Sequence, residues 1–150
     1  MRRFIAAGFG VGWIPDKLWG SDNGAGTFGA GLGGLIGIAL WPAPWWIDTA
    51  AALIAVGLSL WASAPYARDL EDPGWVVIDE IAGALVAVIG LTGLAWFVAW
   101  VIARLADIFK TPPGVRQAEN LRPPWGITTD DVVAGLYGLA VGWIVARVFF

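Results

Sequence analysis

The chain of 150 residues contains no cysteine and no histidine. Without cysteine there is no thiol nucleophile, no disulfide and no zinc–thiolate site. Without histidine, the commonest general base and the imidazole metal ligand are missing too. Charge is scarce: 14% of residues are charged against 58% hydrophobic, where a soluble domain carries about 25% charged residues. A net charge of −3 advertises no field for nucleic acid. What remains is oxygen chemistry, from carboxylates, hydroxyls and backbone groups, with lysine and arginine available for anions. A metal used by such a set is a hard cation, Mg²⁺ or a close relative. The length suits one domain, 1–150, and a mean hydropathy of +0.70 points to a bilayer as its solvent.

Arg2 and Arg3 open a short apolar stretch without the small-residue box of a cleaved signal peptide, and read as an inside-positive anchor. Segment 24–47 is uncharged and glycine-rich until Trp41-Pro42-Ala43-Pro44-Trp45-Trp46. Pro42 and Pro44 stop a helix, and the tryptophans suit a membrane boundary. The pattern predicts helices over about 28–41 and 45–63, joined as a hairpin. A polar loop, 64–74, carries Arg68, Asp69, Glu71 and Asp72, and Asp72-Pro73 reads as a helix cap followed by proline at the first helical position. That helix holds Asp79 and Glu80, then the uncharged run 81–103, interrupted by Gly90, Thr92 and Gly93.

The run is either one crossing or two short helices. Region 104–131 carries Arg104, Lys110, Arg116 and Arg122 and should be cytoplasmic. Placing Arg2 and Arg3 on that side requires two hairpins, 28–63 and 76–106, which is the arrangement predicted here, with a last span over about 130–148. The expected fold class is all-α, a small polytopic membrane helical bundle with short, glycine-rich hairpin helices. Gly29, Gly33 and Gly37, and Ala134, Gly138, Gly142 and Ala146, form small-residue stripes for close helix packing. Assembly as a homo-oligomer stays open.

Asp79 and Glu80 face a long apolar run, where charges are costly and usually meet a partner, a cavity or an ion. Gly83 follows one turn after Asp79 and leaves space. Arg104, Asp107 and Lys110 are spaced to share a helix face, either as an amphipathic exit with a local salt bridge or as a cation-holding carboxylate beside two phosphate-holding cations. Thr128-Thr129-Asp130-Asp131 reads on its own as a threonine cap with acids at the positive helix end. Together with Asp79, Glu80 and Asp107, however, it puts five of the chain's 12 acids near polar–apolar junctions. Clustered carboxylates repel unless a divalent cation neutralises them. Gly24-Ala25-Gly26-Thr27-Phe28-Gly29 opens the first hydrophobic helix, where free backbone donors and the Thr27 hydroxyl suit a phosphate; no Walker lysine follows.

Four blocks together resemble the phosphatidylglycerophosphatase A family of bacterial membrane enzymes. Gly8-Phe9-Gly10-Val11-Gly12 with Pro15, then Gly26-Thr27-Phe28-Gly29-Ala30, is similar to the family's GxG…P…PGTxGS opening. Asp79-Glu80-Ile81-Ala82-Gly83 resembles DExxG, Asp107-Ile108-Phe109-Lys110 with Pro113 resembles FDxxKPxP, and 126–135 resembles GIMxDDxxAG. Glu119 stands near the place of a further family aspartate. The chain departs by extra residues between Pro15 and Gly26, by Ala25 and Thr111 in place of prolines, and by Arg104 just off the family's arginine position.

The resemblance implies hydrolysis of the phosphomonoester of phosphatidylglycerophosphate to phosphatidylglycerol, dependent on Mg²⁺, at the cytoplasmic face of a bacterial inner membrane. Asp79, Glu80, Asp107, Asp130 and Asp131 would be the metal ligands, one carboxylate serving as base for water, and Lys110 would join them as a catalytic residue. Gly26, Thr27, Gly29, Arg104 and Lys110 would bind the phosphate. Two other classes stay in view: a small channel or transporter subunit with a carboxylate-lined cation path, and a scaffold without chemistry.

Overall fold

The computed structural model describes residues 1–66, 73–122 and 124–149, and every regular element among them is helical. These are α1 (Arg2–Ala6), α2 (Ile14–Trp19), α3 (Ala25–Ala39), α4 (Trp45–Ser63), α5 (Ile78–Ala87), α6 (Gly93–Phe109), α7 (Val115–Glu119) and α8 (Trp125–Phe149), with a 3₁₀ turn at Val11–Trp13. The fold is all-α, as expected. Of the predicted polar loop, Arg68, Asp69, Glu71 and Asp72 lie outside the described residues.

Glycine contacts fix the direction of each helix. Along α3, Gly29, Gly33 and Gly37 meet Val77, Ala84 and Val88 in turn, so α3 and α5 run parallel. Along α8, Gly135 lies against Val86 and Gly142 against Leu91, so α8 runs parallel to α5 as well. Gly138 meets Ala99 and Ala103 while Gly142 meets Ala95, which makes α6 antiparallel to α8. Helix α4 also runs antiparallel: its Asp48 accepts a hydrogen bond from Gly90 N at 2.9 Å, whereas Ser59 near its other end bonds Thr128 at 2.7 Å. The uncharged run 81–103 therefore folds as a hairpin, turning where Gly90 and Gly93 take positive φ. Both predicted hairpins are present.

Helix α5 is the axis of the bundle. With 10 residues it is about 15 Å long, and all of it except Glu80 is buried, against α3, α4 and α8. Helices α4 and α8, of 19 and 25 residues, are long and apolar enough to cross a membrane; at about 28 and 37 Å they compare with a hydrocarbon core of about 30 Å. Leu53, Ile54, Leu136 and Ile144 stay exposed on their outer faces.

The small-residue stripes are where backbones touch. A Cβ on Gly138 would overlap the Ala99 carbonyl and come within 2.8 Å of Ala103 Cβ, whereas one on Gly57 would meet nothing within 4 Å. Gly138→Ala is accordingly expected to destabilise the protein by about 1–3 kcal/mol. Gly57→Ala should be neutral or gain up to about 1 kcal/mol. Thermal melting of both variants in one detergent checks the pair, and equal melting temperatures would dismiss the contact.

Three helix starts differ from the sequence reading. Helix α5 begins at Ile78 and not at Pro73, because Val77 N is drawn off to the Ala6 carbonyl at 2.9 Å, holding the segment after Pro73 out of the helix. Asp79 and Glu80 thus stand in the first turn, where the helix dipole favours acids. Helix α3 starts at Ala25, after Gly24 in the left-handed region, so Gly26 and Thr27 are helical. Helix α8 starts at Trp125, which puts Thr128 inside the helix and rules out its role as a cap.

Candidate functional site

The N-terminal ends of α3, α5 and α8 meet the C-terminal ends of α4 and α6 at one end of the bundle. Asp107 comes from the last turn of α6, and Asp130 and Asp131 from the second turn of α8. One oxygen from each of the three carboxylates lies within 4.8 Å of the others. Gly83 makes this convergence with α5 feasible. A Cβ there would stand 2.7 Å from the Asp131 carbonyl oxygen, so the expected space beside Asp79 is taken by the backbone of α8.

The cations are unevenly shared. Arg104 pairs with Asp107 one turn further along α6. Lys110 Nζ donates to Asp130 at 2.7 Å and to Glu119 at 2.8 Å. Burial works against the charge on Lys110, but the hydrogen bonds to Asp130 and Glu119 outweigh it, so its pKa lies above the ordinary lysine value. Among the described residues Asp131 makes no ion pair, and Asp107, Glu80 and Asp130 all lie close enough to repel its charge. Glu80 Oε2, Asp130 Oδ1 and Arg104 Nε are buried without a hydrogen-bond partner among the described residues.

Glu80, Gly83, Arg104 and Asp131 also line a cavity of about 10 Å³, roughly the space one water needs. Three carboxylates in mutual reach, one without an ion pair of its own among the described residues and one with an oxygen to spare, form a donor set suited to a hard divalent cation. The triad could therefore hold a metal ion.

The remaining predicted residues fall into place around this group. Asp79 is 2% exposed, hydrogen-bonded with Glu80, and stands outside the three-carboxylate group. Gly26 lies between Glu80 and Arg104: a Cβ there would overlap Glu80 Oε1 and lie 2.7 Å from Arg104 Nη2. Gly29 packs on Val77. The Ala25 and Thr27 amides are already donated to Asp22 and Gly24. What this turn offers a phosphate is therefore the Gly26 amide, the Thr27 hydroxyl, which is exposed, and the positive end of α3.

Arg104, Asp107 and Lys110 do not share one helix face as expected. Helix α6 stops at Phe109, and Lys110 takes φ 48, turning its side chain back towards α8. Glu119 as a partner of Lys110 was not read from the sequence. The available signal was the Pro112-Pro113-Gly114 turn, which returns α7 to the end of α6. The buried Ser59–Thr128 bond, which ties α4 to α8 beneath the carboxylates, had no signal at all.

Comparison with known proteins adds a second line of observation. The model of the family described as phosphatidylglycerophosphatase A matches residues 4–146. The chain is 35% identical over 144 residues to a Bacteroides thetaiotaomicron protein described as a phosphatidylinositol-3-phosphatase, covering 89% of this chain and 86% of that one. It is 30% identical over 144 residues to phosphatidylglycerophosphatase A of Haemophilus influenzae, covering 91% and 83%. Against phosphatidylglycerophosphatase A of Escherichia coli it is 27% identical over 152 residues, covering 95% and 82%. No solved structure gives a significant match.

Proposed function

The chain belongs to the phosphatidylglycerophosphatase A family and is a phosphatase, and from this premise we propose that it hydrolyses the phosphomonoester of phosphatidylglycerophosphate, giving phosphatidylglycerol and phosphate. The observation that carries the reading is the largely buried Asp107–Asp130–Asp131 group with Arg104 and Lys110 bound to its edge. Asp107, Asp130 and Asp131 would hold Mg²⁺. When bound, the cation polarises a phosphoryl oxygen and lowers the pKa of a water.

Arg104 and Lys110 orient the phosphate through charge-assisted hydrogen bonds. Glu80, whose Oε2 has no hydrogen-bond partner among the described residues, accepts the proton of the attacking water in the small cavity it shares with Asp131. The water oxygen bonds to phosphorus, the phosphorus–alkoxy bond breaks, and the proton passes to the leaving alkoxide. With no histidine in the chain, most of the rate comes from placement and charge.

The carboxylates gather at one end of the bundle and do not follow a path through it, which favours hydrolysis over cation transport. Arg2 stacks over Trp61 at that same end, 4.6 Å from the ring, and Arg104 and Lys110 stand there too. This sidedness, with two apolar helices long enough to cross, supports a multi-pass protein of the bacterial inner membrane whose site faces the cytoplasm.

The test is phosphate release by purified protein in detergent, with Mg²⁺ or with EDTA, on phosphatidylglycerophosphate and on phosphatidylinositol 3-phosphate. The expected result is release that EDTA abolishes, faster on phosphatidylglycerophosphate. Faster turnover of the inositol lipid would change the head group assigned here, and no release from either by folded protein would end the reading.

A further inference from the structure

Helices α3 and α6 touch mainly through Trp96 and Trp100, which lie against Gly34 and Gly37, and Trp100 Nε1 donates to the Ala30 carbonyl at 2.8 Å. Beside this contact they part, leaving an apolar groove of about 590 Å³. Thr27, Gly31, Leu35 and Ile38 form its α3 wall, and Trp96 and Trp100 its α6 wall. Gly31 makes the groove deep, since a Cβ there would find nothing within 4 Å.

One end of the groove opens at the phosphatase site. Thr27 is the neighbour of Gly26, which lies against both Glu80 and Arg104. Trp100 precedes Arg104 by one helical turn and also lines the small cavity with Glu80 and Asp131. From Thr27 to Ile38 the groove follows α3 for about 16 Å, close to the roughly 15 Å depth of one leaflet's hydrocarbon.

We propose that this groove holds an acyl chain of the phospholipid whose phosphate is hydrolysed, making Gly31 a residue that sets chain-length preference; the inference rests on the lipid-phosphomonoester reading above. An apolar groove whose Thr27 end lies beside the site, sharing Trp100 with the small cavity there, and that runs one leaflet deep fits an extended chain whose head group is engaged in the site. A second copy of this chain or a partner helix has no need to end there.

The test compares the unaltered protein with Gly31→Leu, and with Gly31→Ala as a control, on dioleoyl and dibutyryl phosphatidylglycerophosphate. Gly31→Leu should lower kcat/KM on the dioleoyl lipid about tenfold or more and leave the dibutyryl lipid within about twofold. Gly31→Ala should change little. An equal effect on both lipids, or a change of oligomeric state without a change of chain preference, overturns the groove assignment. Failure of the unaltered protein on both lipids overturns the hydrolysis reading, and this inference with it. A phospholipid with a photoactivatable chain terminus gives a readout independent of turnover. Crosslinks should fall around Leu35 and Ile38 and be lost in Gly31→Leu; labelling spread over the outer faces of α4 and α8 overturns the assignment.

Discussion

Asp131→Asn is expected to lower phosphate release about 10³-fold and, at the same time, to remove most of the stability that Mg²⁺ adds to the protein. The two effects share one cause. Asp131 is 7% exposed, has Glu80, Asp107 and Asp130 as negative neighbours, and makes no ion pair among the described residues. Without a bound cation, burial and these neighbours oppose its charge, so a neutral isostere should leave the melting temperature in EDTA little changed. With a cation bound, the same carboxylate becomes a ligand. The unaltered protein should therefore gain stability on adding Mg²⁺, by about 2.7 kcal/mol at a hundredfold excess over Kd, and Asp131→Asn should lose most of that gain. Melting curves with and without Mg²⁺, run beside the activity assay, separate this from a structural role. A structural aspartate would lower the melting temperature in both conditions and leave the Mg²⁺ shift intact.

How far this site could be read in advance depended on the kind of information each part required. Asp107, Asp130 and Asp131 were visible because acids at apolar junctions are rare in a chain with 12 of them. The hairpin of α5 and α6 was visible through charge, since only a return of the chain puts Arg2, Arg3, Arg104 and Lys110 at one end. The pairwise geometry was not visible. That Asp79 stays outside the triad depends on how α5 is set against α6 and α8, and the start of α5 itself is held by a hydrogen bond from Val77 to Ala6, far away in the chain. The Ser59–Thr128 bond and the groove beside Gly31 likewise depend on helices that meet only in three dimensions. Local pattern fixes which residues are helical and which are costly to bury; it does not fix which neighbour relieves the cost.

Lys110→Gly should reduce phosphate release about 10²-fold while leaving the melting temperature nearly unchanged. Lys110 ends α6 in the left-handed region, a conformation that costs a side-chain-bearing residue about 1–2 kcal/mol and glycine almost nothing. A residue held there against its preference is one whose side chain is needed, and the ammonium it delivers bridges Asp130 on α8 and Glu119 on α7. Glycine keeps the turn and removes its strain while deleting the side chain with its ammonium, so the relieved strain offsets the lost ion pairs. Lys110→Met deletes the charge but keeps the strain, and should melt below the glycine variant by the difference, about 1–2 kcal/mol. If Lys110 serves only to tie α7 to α8, the glycine variant will lose stability and hold its rate. If it binds the phosphate, the rate falls in both variants alike, with KM rising for the lipid, and the order of their melting temperatures follows backbone strain alone.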